Sequence, residues 1–278
     1  MLGKVCIVTG ASSGIGKAAA TGLAKMGATV VIVCRDSKRG EAALNEIKER
    51  SGKELASLMV ADLSSQRSIH KLVQDFRSKY ERLDVLINNA GVFLAKRTLT
   101  EDVIEATFAI NHLAPFLLTN LLLGVLKSSA PSRIVNVSSS AHYRGHINFD
   151  DIQGEKNYSG IKAYSQSKLA NVLFTYELAR RLGSGVTANC LHPGTVRTNL
   201  VRLDSGIYGL VWKILSPFML GAEKGADTCI YLASSAEVEG VSGKYFVKRR
   251  EAVSSKESYN EAVAKRLWQV SAKLTGLN

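Results

Sequence analysis

The sequence predicts an α/β fold in which helices cover both faces of one doubly wound parallel sheet. Two observations predict this fold. Short runs rich in β-branched residues alternate with longer helical patterns almost from end to end, and this alternation is typical of a doubly wound sheet. Several of the short runs are apolar throughout, as expected of strands that are buried on both faces of a parallel sheet.

Six strands are predicted, at residues 5–9, 29–34, 55–60, 83–87, 133–137 and 186–191. Helical patterns between them include residues 17–26, 38–50, 65–80 and 163–182. No linker, repeat or shift in composition divides the chain, so residues 1–278 are expected to form a single domain.

The composition is that of a globular protein. Hydrophobic residues make up 46% and charged residues 22% of the 278 positions, which excludes a disordered, collagen-like or coiled-coil chain. The four cysteines include no C-x-x-C pair. We therefore predict a reducing compartment, with neither a disulfide framework nor a metal site.

The net charge is +12, from 36 Lys and Arg against 24 Asp and Glu. Eight Lys and Arg and three Glu fall between Lys244 and Asn278, and this excess is typical of a solvated surface. We expect no nucleic-acid partner, while weak contact with an anionic membrane surface stays open. The apolar stretches 114–126 and 206–220 are shorter than the roughly 20 residues of a spanning helix, so a cytoplasmic location is predicted.

A glycine-rich turn, Thr9-Gly10-Ala-Ser-Ser-Gly14-Ile-Gly16, follows the first strand and precedes a helix. Glycine permits a tight turn and close backbone approach, so N–H groups at the helix N-terminus can face a pyrophosphate. The spacing is G-x-x-x-G-x-G rather than the usual G-x-G-x-x-G fingerprint. The strand before it and the helix after it favour a dinucleotide-binding loop.

The same turn fits a rival pattern, because Gly10-Ala-Ser12-Ser-Gly14 is also the G-x-S-x-G nucleophile elbow of a Ser-Asp-His hydrolase. That elbow would follow the first strand, which leaves no upstream strand to supply the second oxyanion-hole amide. A third hypothesis is a regulator that binds a dinucleotide without turnover.

The end of the second strand predicts which dinucleotide is bound. An acidic residue there would bond the ribose 2′-hydroxyl of NAD, whereas an arginine can pair with the 2′-phosphate of NADP. Arg35 comes before Asp36, and Lys38 and Arg39 follow. We predict that NADP(H) is preferred over NAD(H).

Further polar and small residues follow the other strands at the same carboxyl edge, where such sheets bind ligands. The groups are Asp62-Leu63, Asn88-Asn89-Ala90-Gly91, Ser138-Ser139-Ser140 and His192-Pro193-Gly194. The serine hydroxyls could hydrogen-bond a substrate carbonyl oxygen. His192 stands beside a proline turn, so we interpret it as structural rather than as a general base.

Two helical positions complete the predicted chemistry. Pro115 has no N–H and cannot donate to the carbonyl of Asn111, which either stays free to bind or marks a simple kink. Tyr164 and Lys168 stand four residues apart and therefore share one helix face. The lysine ammonium favours the phenolate and is expected to lower the pKa of Tyr164.

Together these motifs resemble the classical short-chain dehydrogenase/reductases over nearly the whole chain, in family order. More narrowly, the chain is similar to the branch of retinol dehydrogenases 11 to 14. The residues that carry the narrower resemblance are Cys34-Arg-Asp36, Val137-Ser-Ser-Ser-Ala-His142, Ser167-Lys-Leu-Ala-Asn-Val-Leu-Phe174, Ser242-Gly-Lys-Tyr-Phe246 and Leu267-Trp-Gln-Val-Ser271.

The resemblance implies a catalytic tetrad of Asn111, Ser139, Tyr164 and Lys168. In it, Tyr164 is the acid/base, Ser139 holds the carbonyl, Lys168 depresses the tyrosine pKa and binds the nicotinamide ribose, and the Asn111 carbonyl holds a relay water. The cofactor-binding residues predicted from the motifs and this resemblance are Gly10, Ser12, Ser13, Gly14, Ile15, Gly16, Arg35, Lys38, Asp62, Leu63, Asn89, Ala90, Gly91, Tyr164, Lys168, Pro193, Gly194, Val196 and Thr198.

The expected activity is hydride transfer between NADP(H) and an apolar aldehyde, ketone or alcohol. Retinaldehyde and retinol are among the candidate substrates. An apolar lid at residues 199–221 is expected to cover the substrate, and residues 141–162 are expected to border its entrance.

The resemblance also implies a homodimer that pairs through the helices carrying Asn111 and Tyr164. Membrane-bound relatives begin with a hydrophobic anchor, whereas this chain begins at the first strand, so at most peripheral membrane association is expected.

Overall fold

We describe residues 1–194 and 221–277 of a computed structural model of the protein. The predicted lid residues 199–220 lie outside the described residues, as do the predicted cofactor contacts Val196 and Thr198.

The described strands form one eight-stranded sheet in the order β3-β2-β1-β4-β5-β6-β7-β8. Neighbouring strands are parallel except for the antiparallel pair β7 and β8. The strands are β1 (Val5–Thr9), β2 (Thr29–Cys34), β3 (Ala56–Val60), β4 (Val85–Asn88), β5 (Ser132–Val137), β6 (Val186–His192), β7 (Tyr245–Val247) and β8 (Arg250–Glu251). The predicted doubly wound fold is confirmed, with the first six strands within two residues of the predicted ends.

The described α-helices are α1 (Gly14–Lys25), α2 (Ser37–Ser51), α3 (Gln66–Lys79), α4 (Ala106–Phe108), α5 (Ala114–Ser128), α6 (Gly160–Arg181), α7 (Ala222–Ser234) and α8 (Glu261–Leu274). A π-helical turn, Ala109–Leu113, joins α4 to α5, and a 3₁₀ turn, Ser140–Arg144, follows β5. The π-helical turn lies where the sequence predicts either a free Asn111 carbonyl or a kink at Pro115. Such turns often occur at functional sites.

Alternate residues of the central strands fill two hydrophobic layers. Val8 packs on one face of the sheet with Leu23 of α1 and Cys229 of α7. Its neighbour Ile7 packs on the other face with Phe116 of α5 and other residues of α3, α5 and α6. Since successive side chains of a strand point to opposite faces, the continuous apolar runs in the sequence are explained by burial on both sides.

The C-terminal helix α8 lies against α5 and α6. The Trp268 ring centroid is 4.9 Å from that of Phe116 on α5 and 5.8 Å from that of Phe174 on α6, and the guanidinium of Arg181 lies 4.3 Å from the Trp268 ring. This helix therefore covers part of the surface through which the predicted homodimer would pair.

One continuous helical stretch, Ala106–Ser128, is long and apolar enough to cross a membrane by length and composition alone. The expectation that the apolar stretches are too short is therefore wrong for this segment, because the helix extends beyond residues 114–126. Of its most apolar window, 67% is buried inside the protein. Core helices of soluble proteins share these properties, so the finding is weak evidence for a span.

A buried histidine makes the stability of this arrangement depend on pH. His112, in the π-helical turn, is fully buried, and its Nε2 lies 2.8 Å from the Ser271 hydroxyl of α8. Burial lowers the pKa of His112 from 6.5 to about 4. The unfolded chain therefore binds a proton between pH 6.5 and 4 that the native state does not bind, so stability is lost as pH falls through this window.

We predict that the urea-derived free energy of unfolding of His112→Gln falls less steeply below pH 6.5 than that of the wild type. The difference in slope should approach one proton, because one fewer buried group is protonated on unfolding. His70→Gln, at an exposed position, is the control and should keep the wild-type slope. Equal slopes for His112→Gln and the wild type would contradict the prediction.

Candidate active site

A cavity of about 1590 Å³ opens at the carboxyl ends of the parallel strands. Ligand pockets of drug-sized molecules measure roughly 300–1,000 Å³, so this cavity has room for two ligands side by side. The predicted site residues that line it are Gly10, Ser12, Ser13, Gly14, Ile15, Arg35, Asp62, Leu63, Asn89, Ala90, Gly91, Ser139, Tyr164, Lys168, Pro193 and Gly194.

The glycine-rich turn is held against the end of β4. The Asn89 amide donates to the Thr9 carbonyl at 2.8 Å, and the Thr9 hydroxyl accepts the backbone N–H groups of Asn89 and Ala90 at 3.0 and 3.1 Å. Gly10 has a φ of +68°, and a Cβ there would lie 2.8 Å from the Ala90 Cα. The turn therefore requires glycine at position 10 for both conformation and space.

The N-terminus of α1 faces the cavity without a side-chain cap. Ser13 is the N-cap residue but makes no capping hydrogen bond, and the first turn holds no acidic residue. Free N–H groups and the positive end of the helix dipole favour an anion at this point. The cradle therefore fits a dinucleotide pyrophosphate.

Gly16 has a packing role rather than a place in the cavity lining. A Cβ at this position would lie 2.6 Å from the Gly10 carbonyl oxygen and 2.5 Å from the Asn89 amide nitrogen. Glycine thus lets α1 lie directly against the turn.

Basic side chains line the cavity beyond β2. Arg35 and Arg39 are exposed and lie at its wall, whereas the predicted contact Lys38 does not line it. Asp36 is the N-cap of α2, and its Oδ1 accepts the backbone N–H of Arg39 at 2.8 Å. Both residue 38 and residue 39 are in the first turn of α2, and of the two it is Arg39 that lines the cavity.

The hydrolase reading of the same turn has no support. Ser12 interacts with the thiol of Cys34, and in the described part of the chain no histidine hydrogen-bonds to its hydroxyl. A serine nucleophile needs a base within hydrogen-bond reach.

Asp62 caps its own loop. Its Oδ1 accepts the backbone N–H and the hydroxyl of Ser64 at 2.9 and 2.7 Å. The residue lines the cavity as well, so it shapes the wall through the loop that it stabilises.

The Asn111 side chain is fully buried and joins three elements. Its Oδ1 accepts the Val92 N–H at 2.8 Å, and its Nδ2 donates to the Val92 carbonyl and the Ser167 hydroxyl, both at 2.9 Å. Ser167 in turn donates to the Tyr164 carbonyl at 2.8 Å. The side chain thus ties the π-helical turn to the strand β4 exit and to α6, which leaves any ligand role to its main chain.

The three serines after β5 have different partners. The Ser138 hydroxyl is buried and donates to the Lys168 carbonyl at 2.8 Å. Ser140 is exposed, and its N–H donates to His192 Nδ1 at 3.2 Å. Ser139 is half-buried, lines the cavity and interacts with the Tyr164 hydroxyl. Of the three, Ser139 is the serine whose hydroxyl faces the tyrosine.

Tyr164 and Lys168 lie on the same face of α6, as their spacing predicts. The Lys168 ammonium is 5.6 Å from the tyrosine ring centroid and donates to the Val137 carbonyl at 3.1 Å. Burial lowers the pKa of Lys168 to about 8. Gly91 leaves room for this ammonium, because a Cβ there would lie 3.4 Å from it.

The expected depression of the tyrosine pKa by Lys168 is not present. Burial raises the pKa of Tyr164 to about 12, while the Ser139 hydroxyl acts in the opposite direction. The ammonium contacts a carbonyl rather than the phenol oxygen, and this geometry explains the difference. The tyrosine is therefore protonated at neutral pH.

The substrate side of the cavity is built from residues that the motifs did not identify. Apolar side chains from the segment after Gly91 and from the helices around it line this side: Phe93, Leu94, Leu99, Ile110 and Ile161. Ala141, Tyr143 and Arg144 border it too, as expected for the segment 141–162. The apolar run Val92-Phe93-Leu94, directly after Gly91, was the sequence signal that could have identified this side of the cavity.

The fold and this site define an oxidoreductase that binds a dinucleotide at the carboxyl edge of its sheet. A family model described as short chain dehydrogenase matches residues 4–205. The chain belongs to the short-chain dehydrogenase family.

Within that family, the chain is similar to retinol dehydrogenases. It is 46% identical to retinol dehydrogenase 12 of Bos taurus, over 100% of this chain and 88% of that protein. It is 47% identical to human retinol dehydrogenase 14, with the same two coverages, and 47% identical to human retinol dehydrogenase 11, over 99% and 86%. The predicted resemblance to this branch is confirmed.

Solved structures agree with the family. An uncharacterised protein from Mycobacterium paratuberculosis matches with a TM-score of 0.80 and 33% identity, over 99% of this chain and 94% of that one. A short chain dehydrogenase from Shigella flexneri 2a, complexed with NADP, matches with a TM-score of 0.67 and 25% identity, over 90% and 98%.

We predict that Gly10→Ala weakens dinucleotide binding at least about tenfold, because the methyl group displaces Ala90 and strains a left-handed residue. Fluorescence titration with NADPH measures the effect. Gly124→Ala is the matched control: a Cβ there meets nothing within 4 Å, and alanine should raise helix stability by up to about 1 kcal/mol. Unchanged NADPH binding by Gly10→Ala would show that the turn is not the binding loop.

Proposed function

We propose that this oxidoreductase uses NADP(H) to interconvert an apolar aldehyde or ketone with the corresponding alcohol, retinaldehyde and retinol among its substrates. The observation that carries the proposal is that Ser139, Tyr164 and Lys168 line one cavity together. The same cavity is lined by the uncapped N-terminus of α1 and by Arg35 and Arg39. When bound, the nicotinamide gives or takes the hydride.

The side chains divide the remaining work. Ser139 holds the substrate oxygen by a hydrogen bond, and Tyr164 gives that oxygen its proton during carbonyl reduction. With a pKa near 12, the Tyr164 phenol is protonated at neutral pH and ready to donate. Carbonyl reduction uses this protonated phenol as its acid, whereas alcohol oxidation uses the phenolate as its base.

Lys168 and Asn111 support this proton transfer. The ammonium of Lys168 lies where it can bind the hydroxyls of the nicotinamide ribose and stabilise a phenolate once the site is filled. The Asn111 main-chain carbonyl is proposed to hold the relay water, since its side chain is already committed to Val92 and Ser167.

NADP(H) is preferred in this proposal because of charge. Arg35 and Arg39 at the cavity wall suit a 2′-phosphate, and Asp36, which lines the same wall, uses its Oδ1 to cap α2. An Escherichia coli neighbour, 25% identical with a TM-score of 0.68, is described as complexed with NADPH, and the Shigella neighbour as complexed with NADP.

The substrate class is proposed from the apolar lining and from the names of the curated relatives. A lid at residues 199–221 would complete this lining as part of a single domain over residues 1–278. We retain a cytoplasmic location with peripheral contact to an anionic membrane surface, and a homodimer, as predictions. Part of the pairing surface of that homodimer is covered by α8.

A regulator that binds the dinucleotide without turnover is the other hypothesis for this fold. The complete set of Ser139, Tyr164 and Lys168 argues against it, because binding alone needs no proton donor.

We predict that Tyr164→Phe lowers kcat for NADPH-dependent reduction of apolar aldehydes by at least about 100-fold, the range of general acid catalysis. NADPH affinity should stay within a few-fold. The assay follows NADPH absorbance with a panel of retinal and medium-chain aldehydes. Tyr80→Phe is the control, because Tyr80 follows α3 and its hydroxyl bonds to Ser57 of β3, neither of which lines the cavity. Turnover that survives in Tyr164→Phe would reject the proposed tetrad.

We predict that Arg35→Ala combined with Arg39→Ala raises KM for NADPH by about 10- to 100-fold, as expected for lost charge-assisted bonds. KM for NADH should change little, because NADH lacks the 2′-phosphate. Arg77→Ala combined with Lys79→Ala, at two exposed positions of α3, removes the same number of charges and controls for net charge. Parallel loss with both cofactors would refute a specific 2′-phosphate site.

A further inference from the structure

The peptide group that joins Ser139 to Ser140 is held at both ends by histidines. Its oxygen, the Ser139 carbonyl, accepts the backbone N–H of His142 at 3.1 Å and lies 2.6 Å from His142 Nδ1. Its N–H, which belongs to Ser140, donates to Nδ1 of His192 at 3.2 Å. The two rings come from different elements, the 3₁₀ turn after β5 and the end of β6.

The partners of each ring determine where its proton lies. The Ser255 backbone N–H donates to His142 Nε2 at 3.0 Å. A backbone N–H can only donate, so Nε2 is bare and the neutral ring carries its proton on Nδ1, which donates to the Ser139 carbonyl. By the same reasoning, the Ser140 N–H requires a bare Nδ1 on His192. The two histidines therefore have opposite tautomers.

We propose that His142 and His192 are positioning residues that fix the Ser139–Ser140 peptide plane and thereby aim the Ser139 hydroxyl at the reacting oxygen. The C-terminal segment takes part, because Ser255 holds His142 in the required tautomer. This inference rests on the proposed function, in which Ser139 holds the substrate oxygen.

The geometry explains why the plane matters. Ser139 has extended backbone angles, φ −158° and ψ 158°, and its hydroxyl accepts the Ala141 N–H at 3.2 Å. Rotation of the following peptide changes ψ of Ser139 and breaks this 3₁₀ turn. A displacement of about 1 Å at a reacting group can cost on the order of 100-fold in rate.

The C-terminal partner is itself anchored. The Ser254 hydroxyl lies 2.8 Å from the Tyr176 hydroxyl of α6, and the Ser254 N–H donates to the Tyr259 hydroxyl at 3.1 Å. The Tyr143 hydroxyl donates to the Val253 carbonyl at 2.5 Å. The segment lies beyond the residues that the family model matches, so this support comes from a part of the chain outside that model.

His142 and His192 together form a clamp on the Ser139–Ser140 peptide, and this clamp requires both imidazole rings to be neutral. His142 packs against the rings of Tyr143 and Tyr245, with centroids 4.0 and 4.8 Å away, and His192 faces it. The carboxylate on the C-terminal segment, Glu257, bonds to His146 instead. Burial lowers the pKa of His142, and it lowers the pKa of His192 to about 4. Protonation of His142 would place its Nε2–H against the Ser255 N–H, and protonation of His192 would place its Nδ1–H against the Ser140 N–H.

The first test reads the tautomers of the whole protein by ¹⁵N NMR with labelled histidine. We expect a bare Nε2 on His142 and a bare Nδ1 on His192, with each signal assigned by substitution of that histidine. This readout needs no activity. If either ring shows the other tautomer or a positive charge at pH 7, the clamp is overturned.

The second test separates the two halves of the His142 contact. Asparagine places its amide near the Nδ1 position and can still donate to Ser139, whereas glutamine reaches toward Ser255 instead. We expect His142→Asn to retain kcat within about threefold, and His142→Gln to lose on the order of 10- to 100-fold in kcat with KM nearly unchanged. His146→Gln, which loses a bond to the same segment without touching Ser139, should behave as wild type.

The acid limb of the kcat profile gives a further readout. In the wild type, kcat should fall as His142 is protonated, and this limb should weaken in His142→Asn. Equal kcat and equal pH profiles for the asparagine, glutamine and wild-type proteins would overturn the proposal. An inactive wild type with the expected tautomers would reject the proposed function and leave the clamp supported, so the two failures are distinguishable.

Discussion

The burial of one ammonium group constrains much of the site. Lys168 is only 3% exposed, and a cation removed from water needs acceptors that the protein provides. The Val137 carbonyl at the end of β5 is such an acceptor, and Ser138 next to it donates back to the Lys168 carbonyl. Gly91 at the end of β4 leaves the space that the ammonium needs. Strands β4 and β5 and helix α6 therefore have fixed relative positions.

A layer of buried amides below the site has the same effect. The Asn88 side-chain amide donates to Asn136 Oδ1 at 2.8 Å, and the Asn136 side-chain amide donates to the Thr175 hydroxyl at 2.9 Å. These bonds cross from β4 to β5 to α6, parallel to the link that Asn111 makes above them. Asn88 Oδ1 has no hydrogen-bond partner among the described residues, but the bonds that the network does make favour one arrangement, because a shift would leave further desolvated groups without partners. Helix α6 is therefore held by polar contacts in addition to its apolar packing.

The sequence predicted the architecture well because its signals are local. Apolar runs marked the central strands, and the glycine spacing marked the turn before α1. What it missed depends on distant contacts: β7 and β8 are very short, and β7 pairs with β6 while β8 pairs with β7. Motif residues likewise identified the chemistry but not its electrostatics. The sequence places Lys168 beside Tyr164, yet only the structure shows the ammonium turned toward a carbonyl and the phenol raised in pKa by burial.

Side-chain direction was the other limit of prediction. A basic cluster after β2 was evident in the sequence, but whether residue 38 or residue 39 faces the cavity depends on side-chain directions in the first turn of α2. The role proposed for His142 was hidden for a different reason. Its partner Ser255 lies more than a hundred positions away, and no spacing rule connects the two.

The capping role of Asp36 links cofactor recognition to the stability of a helix. Its Oδ1 satisfies an N–H in the first turn of α2, and such a cap contributes about 1 kcal/mol. A carboxylate that turned away to hold two ribose hydroxyls would give up that bond. Any contact with a dinucleotide that drew Oδ1 away from the cap would therefore weaken α2 by about that amount, whereas a contact through the second carboxylate oxygen would leave the helix unchanged.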